Sequence, residues 1–409
     1  MEQAQQIAIL HKLFARIENH ENEDAGVQVK NPTTAYVSPE LAKKEWRAFF
    51  RDHAQIVGLS GDLPEVGSYR TLDDFGVPVL LTRDKAKRFR AFVNACRHRG
   101  TQVVTNERGN AKRFVCPFHG WTYTPEGQLF AVPEAQQFGE VDHSCLGLVE
   151  LPSVERFGLL WVHPDPKGNI DIGELMAGLE NEFESWDVSH HVWRANCSIS
   201  KRMNWKIAND TFGETYHFAR LHRQTLNNLF HGDVIDYQPY GPNHRLVFPS
   251  RGIHALKKKS EDRWSLENAT TVLYFLFPNI QITVSRRQVT LFRIYPDPHD
   301  HARSTTQVSH YFSQAALDEM HSGEKTIIHA GNVYDPQARD GNAVVSPEAA
   351  MEVLDSTLEQ EDYQMAELTQ RAAESGALEF LIFGRNEPAL HHFHNSYRKA
   401  LGEPPLERL

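Results

Sequence analysis

Two short stretches, Cys96-Arg97-His98-Arg99-Gly100 and Cys116-Pro117-Phe118-His119-Gly120-Trp121, decide how the rest of the chain is read. As spacing they are C-x-H, seventeen intervening residues, then C-x-x-H. Two thiols and two imidazoles arranged in this way are donors for a metal centre, soft sulfur beside borderline nitrogen. Zinc sites built from two Cys and two His usually pair like with like, the cysteines in one half and the histidines in the other. Here each half supplies one of each. A [2Fe–2S] cluster accounts for the mixed halves: one iron takes Cys96 and Cys116, the other takes His98 and His119, and two similar loops close over the cluster. Neutral imidazoles in place of two thiolates remove negative charge and raise the reduction potential. Gly100 and Gly120 allow tight turns beside the inorganic sulfides, and Pro117 stiffens its loop.

The motif sits in a chain of 409 residues, 40% hydrophobic and 23% charged, long enough for two or three domains with sizeable cores. A net charge of -10 argues against nucleic acid as a partner. No apolar run reaches the roughly 18–20 residues that span a bilayer. The first 26 residues lack the basic start and apolar run of a secretory signal. A cytoplasmic enzyme, not bound to membrane, is the expectation. Four cysteines, Cys96, Cys116, Cys145 and Cys197, are too few for a disulfide framework at this length, which leaves Cys96 and Cys116 reduced and able to bind metal.

Outward from the motif, 56–162 alternates short apolar runs with turn residues, for example Val77–Thr82, Phe89–Asn94 and Leu159–Val162, and reads as a small all-β domain. Gly127, after Thr124-Pro125-Glu126, marks a hairpin. Before this domain, residues 2–20 form an amphipathic helix, and Ser38 caps a helix that runs to Phe50. After it come helices at Ile172–Trp186 and Met203–His222. Strands are expected at Trp193–Ser200, His244–Pro249, Ala269–Phe277, Ile280–Val284, Val289–Tyr295 and Thr305–Phe312. Helices at Gln314–His321, Ser346–Ala373 with breaks, and Pro388–Ala400 complete the chain. The fold class is α+β: a small all-β domain plus a larger domain with an antiparallel sheet surrounded by helices. The expected divisions are 1–55, an N-terminal helical segment packing on the larger domain; 56–165, the cluster domain; and 166–409.

A second constellation lies in Asn204–His222, where His217 and His222 stand among Asn209, Asp210 and Glu214. Five residues apart on an ideal α-helix, the two imidazoles point about 140° away from each other. A shared metal therefore requires the helix to bend or break, as wide turns at functional sites do. A carboxylate as third ligand would complete the two-His-one-carboxylate triad of non-heme Fe(II) oxygenases, with positions left open for O2.

CRHRG at 96–100 and CPFHGW at 116–121 resemble the cluster-binding signature of Rieske proteins. Together with FVNACRHRG, FVCPFHGWTYTPEGQL and the Tyr216-His217-x4-His222 segment, the chain resembles the large, terminal-oxygenase subunit of Rieske non-heme iron aromatic ring-hydroxylating oxygenases over roughly 35–400. The resemblance implies that His217 and His222 bind the mononuclear Fe(II) and that the third ligand lies in the acidic stretch 358–371, where Asp362 matches. Asp355, Glu359 and Glu361 compete less well. It implies a homotrimer, or α3β3 with a small subunit. Electrons come from an NAD(P)H-dependent reductase, with or without a ferredoxin, reach the cluster, and cross a subunit boundary from His119 through a bridging carboxylate to His217. The family's bridge is usually aspartate three residues before the first iron histidine. Here it is Glu214, and Asn209-Asp210 stands where Glu-Asn is usual. Some members that demethylate quaternary ammonium compounds also carry glutamate there.

The implied reaction is mono- or cis-dihydroxylation of a small organic substrate. Apolar side chains at Leu226, Leu229, Phe230, Phe275, Phe277 and Ile280, read as a pocket wall, favour an aromatic or bulky alicyclic molecule, and Arg202, Arg220, Arg223 and Arg251 are candidates for a substrate carboxylate. Oxidative N- or O-demethylation, including of a quaternary ammonium compound, is the alternative. A Rieske electron carrier without oxygenase activity is a third reading, opposed by His217, His222 and Asp362.

Overall fold

The computed structural model describes residues 1–321, 327–329, 342–344 and 347–409. The chain forms two compact units, Met1–Lys44 with Gly173–Leu409, and Glu45–Ile172. Residues 45–55, grouped above with the N-terminal segment, lie in the second unit.

The unit Glu45–Ile172 is built on antiparallel sheets. A five-stranded sheet runs in the order Glu150–Leu151, Phe89–Val93, Val79–Arg83, Ser68–Leu72, Arg108–Asn110. A three-stranded sheet joins Ser153–Arg156, Leu159–Val162 and Gln55–Leu59. A smaller one, Phe114–Val115, Thr122–Tyr123 and Leu129–Ala131, flanks the second metal loop. Gly127 turns the last of these hairpins, donating to Thr124 O at 2.8 Å. Cys96 and Cys116 are buried in one core cluster with Tyr69, Phe92, Phe114, Trp121, Tyr123 and Leu129, so the two metal loops are anchored at their first residues.

In the larger unit a seven-stranded antiparallel sheet has the order His191–Lys201, Ser304–Ser313, Gln288–Pro296, Ile280–Val284, Thr270–Leu276, Asn243–Pro249, Asp236–Tyr240. The inner strand Gln288–Pro296 is buried at every position, so both faces of the sheet are covered there. Asp236–Tyr240 was not expected: Pro239 and two tyrosines mask the pattern, and an edge strand tolerates the missing N–H of proline. A three-stranded sheet brings Val29–Pro32 between Phe380–Phe383 and Glu407–Arg408.

Three expected helices differ in form. Ile172–Trp186 is two short helices, Ile172–Met176 and Glu180–Trp186, parted by Ala177 and Gly178 at positive φ. The Ser38-capped helix begins as expected, with Ser38 Oγ accepting from Leu41 N at 3.2 Å, but passes into a π-helix at Trp46–Arg51. The third, Met203–His222, is helical only over Trp205–Asp210. Asn204 caps this short helix by accepting from Lys206 N at 3.0 Å. Beyond Asp210 the chain turns, then forms one 3-10 turn, Tyr216–Ala219. Leu390 lies 2.3 Å from where a Cβ on Gly213 would stand, so close approach of the helix Pro388–Ala400 requires glycine there. Helix Pro347–Thr357 continues through a π-helical segment Leu358–Asp362 into Tyr363–Glu374; Ser346, its expected first residue, lies outside the described residues.

Candidate active site

The two loops of the first motif repeat one backbone pattern. Cys96 N donates to Thr101 O at 2.8 Å and Gly100 N donates to Cys96 O at 2.9 Å; Cys116 N donates to Trp121 O at 2.8 Å and Gly120 N donates to Cys116 O at 3.0 Å. Gly100 and Gly120 occupy the equivalent left-handed position, φ 77° and 69°, where a side chain would be strained. The repeat places His98 and His119 side by side, ring centroids 4.6 Å apart. Cys96 and Cys116 are free and buried, and His98 Nδ1 is buried with no hydrogen-bond partner. Two buried thiols and an orphaned imidazole nitrogen fit a metal cluster. Tyr123 Oη lies 3.3 Å from Cys96 Sγ and accepts from Arg97 N at 3.0 Å. Desolvation and the neighbouring His98 and Arg99 hold the pKa of His119 below the usual histidine range, in the neutral form that a metal ligand needs.

The break after Asp210 solves the spacing problem of the second motif. His217 Nε2 lies 3.1 Å from His222 Nε2, and Asp362 Oδ1 lies 3.1 Å from His222 Nε2 and 3.3 Å from His217 Nε2. Among the described residues, this is the group whose ligand atoms converge within 4.8 Å. Two donors at right angles and about 2.1 Å from one ion are about 3.0 Å apart, so the three atoms form one face of an octahedron. The opposite nitrogens are occupied: His217 Nδ1 faces Glu214 Oε1, and His222 Nδ1 is 2.6 Å from Glu361 Oε2. With each Nδ1–H donating to a carboxylate, both Nε2 lone pairs and a carboxylate oxygen face one point, an arrangement that asks for a cation.

The electrostatics agree. Burial disfavours a charged His217, but hydrogen bonds to Asp362 and Glu214 outweigh it and push its pKa up to about 10. Burial also works against ionised Asp362, yet its hydrogen bonds to His217 and His222 hold it below the usual carboxylate range. The same negative field that retains a proton on His217 favours a divalent metal.

Glu214 Oε2 accepts from His217 N at 3.2 Å and also from Tyr216 N, so one carboxylate caps the 3-10 turn and orients the first ligand. Asp210 faces elsewhere, accepting from Tyr36 Oη at 2.6 Å and lying 2.9 Å from His394 Nε2. Asp355 lies 3.0 Å from His310 Nε2, and Glu359 pairs with Lys201 at 3.0 Å. Glu361 has a task that its sequence reading as a spare ligand missed: it holds His222 by the ring nitrogen opposite the metal side and also accepts from Thr225 Oγ1 at 3.0 Å. The signal was its place beside Asp362. Glu361→Gln is expected to weaken iron binding about 10–100-fold while leaving the cluster spectrum unchanged; iron titration of the apoprotein measures it.

Most of the residues assigned to a pocket wall are buried in the core. Leu229 and Phe230 pack with Phe218, Leu246, Phe248 and Leu273 in one buried cluster, with Leu226 partly buried against it, and the Phe218 ring lies against both His217 and His222 at 5.1 and 5.3 Å. Phe275 packs on His244 and Phe393. Of the four arginines, Arg202 pairs with Glu374 at 2.7 Å and Arg251 donates to Asn227 O at 2.6 Å; Arg220 and Arg223 are exposed.

A cluster domain followed by a His-His-Asp iron site on an α+β scaffold defines a Rieske non-heme iron oxygenase. The chain belongs to that family: residues 183–403 match the ring hydroxylating alpha subunit catalytic domain and residues 53–154 match the Rieske [2Fe-2S] domain. Members of this superfamily are enzymes that use O2 and electrons to oxidise organic substrates. The glycine betaine monooxygenase oxygenase subunit of Chromohalobacter salexigens is 28% identical over 225 residues, 54% of this chain and 50% of that protein. The chloroplastic choline monooxygenase of Beta vulgaris is 25% identical over 378 residues, 89% of this chain and 75% of that one. The chain spans about half the length of the first curated relatives it matches. A crystal structure of the quaternary ammonium Rieske monooxygenase CntA with its substrate L-carnitine superposes with TM-score 0.70 at 17% identity, covering 93% of this chain and 97% of that one. Among the described residues no helix is long and apolar enough to cross a membrane.

Proposed function

We propose that the chain is the terminal oxygenase of a monooxygenase system that demethylates a quaternary ammonium compound. Glu214 carries this reading: a glutamate, seated on His217 Nδ1, takes the position where some quaternary ammonium demethylases differ from the aspartate of most ring hydroxylases. The glycine betaine, choline and carnitine monooxygenases among the similar proteins support a quaternary ammonium substrate. A net charge of -10 favours the approach of a cationic substrate. The apolar-wall argument for ring hydroxylation loses its main residues, since they pack against one another.

In this reading Cys96, His98, Cys116 and His119 hold the [2Fe–2S] cluster, and His217, His222 and Asp362 hold Fe(II). When bound, the iron activates O2 and the cluster supplies electrons. The chain's own contribution is positional. Glu214 and Glu361 fix both imidazole rings with Nε2 inward, and Asp362 presents an ionised oxygen. In a homotrimer, Glu214 would accept a further hydrogen bond from the partner subunit's His119 and so connect the two metal sites; the exposed Phe118 beside His119 and Phe138 beside His98 supply apolar surface for such a contact. A reductase that oxidises NAD(P)H supplies two electrons. With two protons and O2, one N-methyl group becomes N-hydroxymethyl and one water forms; the hydroxyl proton and formaldehyde then leave, and the C–N electron pair stays on nitrogen as the tertiary amine.

The test uses purified holoenzyme with a surrogate reductase and NAD(P)H, offered glycine betaine, choline, L-carnitine, benzoate or naphthalene. Formaldehyde matched to O2 uptake with a quaternary ammonium substrate is expected. A cis-diol or phenol from an aromatic substrate, without formaldehyde from any ammonium compound, would restore ring hydroxylation.

A further inference from the structure

The site residues do not explain why Asp362 faces the imidazoles. It closes the π-helical segment Leu358–Asp362, between two regular helices. On either side of that segment one side chain, half-buried Asp355 and buried Tyr363, is tied to the same strand, Ser304–Ser313. Asp355 Oδ1 lies 3.0 Å from His310 Nε2, and Tyr363 Oη lies 2.6 Å from Thr306 Oγ1. His310 is fully buried and its other nitrogen is 3.3 Å from Thr290 Oγ1, so Nε2–H donates to Asp355. The Cys197 thiol also bonds to Asp355.

The two ties match in length. Thr306 and His310 are four residues apart on one face of the strand, about 13 Å; Asp355 and Tyr363 are eight apart on the helix, about 12 Å. They match in rotation only because of the π segment. Eight residues of plain α-helix turn about 800°, which would leave Tyr363 about 80° away from Asp355. A π-turn absorbs one extra residue, so the advance is about 700°, close to two full turns. Both ties then face the strand, and Asp362, one residue before Tyr363, is swung about 100° off that face. Without the wide turn, and with Asp355 still tied, Asp362 would point at the sheet.

We propose that His310 and Tyr363 are positioning residues for the iron carboxylate. Through Asp355 and Thr306 they pin the helix on both sides of the π segment and hold the rotation that delivers Asp362 Oδ1 to the metal and Glu361 to His222. The proposal rests on Asp362 being the ligand.

The test compares His310→Leu, His310→Gln and Tyr363→Phe in the full chain. Fe(II) affinity of the mononuclear site is measured by titration of protein that retains its cluster, together with the Rieske absorption spectrum and the ratio of peroxide to product per O2. His310→Leu is expected to weaken Fe(II) binding about 10–100-fold and to raise the peroxide share, with the cluster spectrum unchanged. His310→Gln, which keeps a donor for Asp355, restores most of the affinity. Tyr363→Phe removes only a hydroxyl, keeps the ring packed, and shows a smaller loss of the same kind. Wild-type affinity and coupling in Tyr363→Phe and in whichever His310 variant folds would overturn the proposal, as would equal losses in His310→Leu and His310→Gln. Retention of iron by Asp362→Ala would instead overturn the ligand assignment beneath it.

Discussion

Asp362→Ala is expected to take the enzyme from about three iron atoms per chain to about two, a cluster pair without its mononuclear partner, and to reduce product formation to background. The three donor atoms stand 3.1–3.3 Å from one another, and with a metal bound Asp362 alone among them carries formal charge. Removing it leaves two neutral imidazoles held by Glu214 and Glu361, an open pair with neither the charge nor the third point needed to retain Fe(II) against dissociation. The Rieske absorption should be unaffected, because Cys96, His98, Cys116 and His119 belong to the other unit. Iron analysis alongside the visible spectrum decides it: three irons retained in the variant would remove Asp362 from the ligand set. Asp362→Asn is the finer probe. It keeps an oxygen at the same place without the charge, so partial iron retention is expected there.

Glu214→Gln is expected to keep all the iron and lose about 100-fold in the rate of product formation. The carboxylate of Glu214 accepts on both oxygens, from His217 Nδ1 on one and from the Tyr216 and His217 amides on the other. A glutamine offers one oxygen and one NH2. Whichever way the amide turns, an N–H meets an N–H, so either the turn loses its cap or His217 loses its acceptor, and no unshared acceptor remains for a donor from a neighbouring subunit. Metal binding survives because Nε2 still faces inward. The loss should fall on electron arrival: in a single turnover with the cluster reduced beforehand, cluster oxidation should slow together with product formation. Wild-type cluster oxidation in this variant would sink the proposed bridge, and wild-type cluster oxidation with slow product would assign Glu214 to orienting His217 alone.

The candidate metal donors were readable from spacing and donor type, because cluster and iron chemistry restrict both. Cys96, His98, Cys116 and His119 lie within two short loops whose glycines and hydrogen bonds are local. His217 and His222 were readable as a pair, and their five-residue spacing correctly required a break in the helix. How the chain breaks was not readable. The turn after Asp210 depends on Leu390 packing on Gly213 and on Glu214 capping from within the turn, contacts made at a distance or by a side chain whose usual reading is different. Glu361 was misjudged for a related reason: consecutive acids on a helix diverge, and their sequence does not show that His222 stands where the two reach its opposite ring nitrogens. The substrate reading suffered most. Apolar residues at 226–230 and 275–280 suit a pocket wall and a core equally well in sequence, and burial decided for the core.

The division of the chain also sets an order of assembly. The cluster unit is a single continuous stretch, Glu45–Ile172, and can fold once that stretch has left the ribosome, since domains generally fold as units during synthesis. The other unit begins before it and ends after it. Val29–Pro32 waits for Phe380–Phe383, and His217 waits for Asp362. The iron–sulfur centre can therefore be matured on a nascent chain, whereas a site that needs His217 and Asp362 together is incomplete until the chain has been made past residue 362. Synthesis itself keeps the reactive metal out until both halves of its site are present.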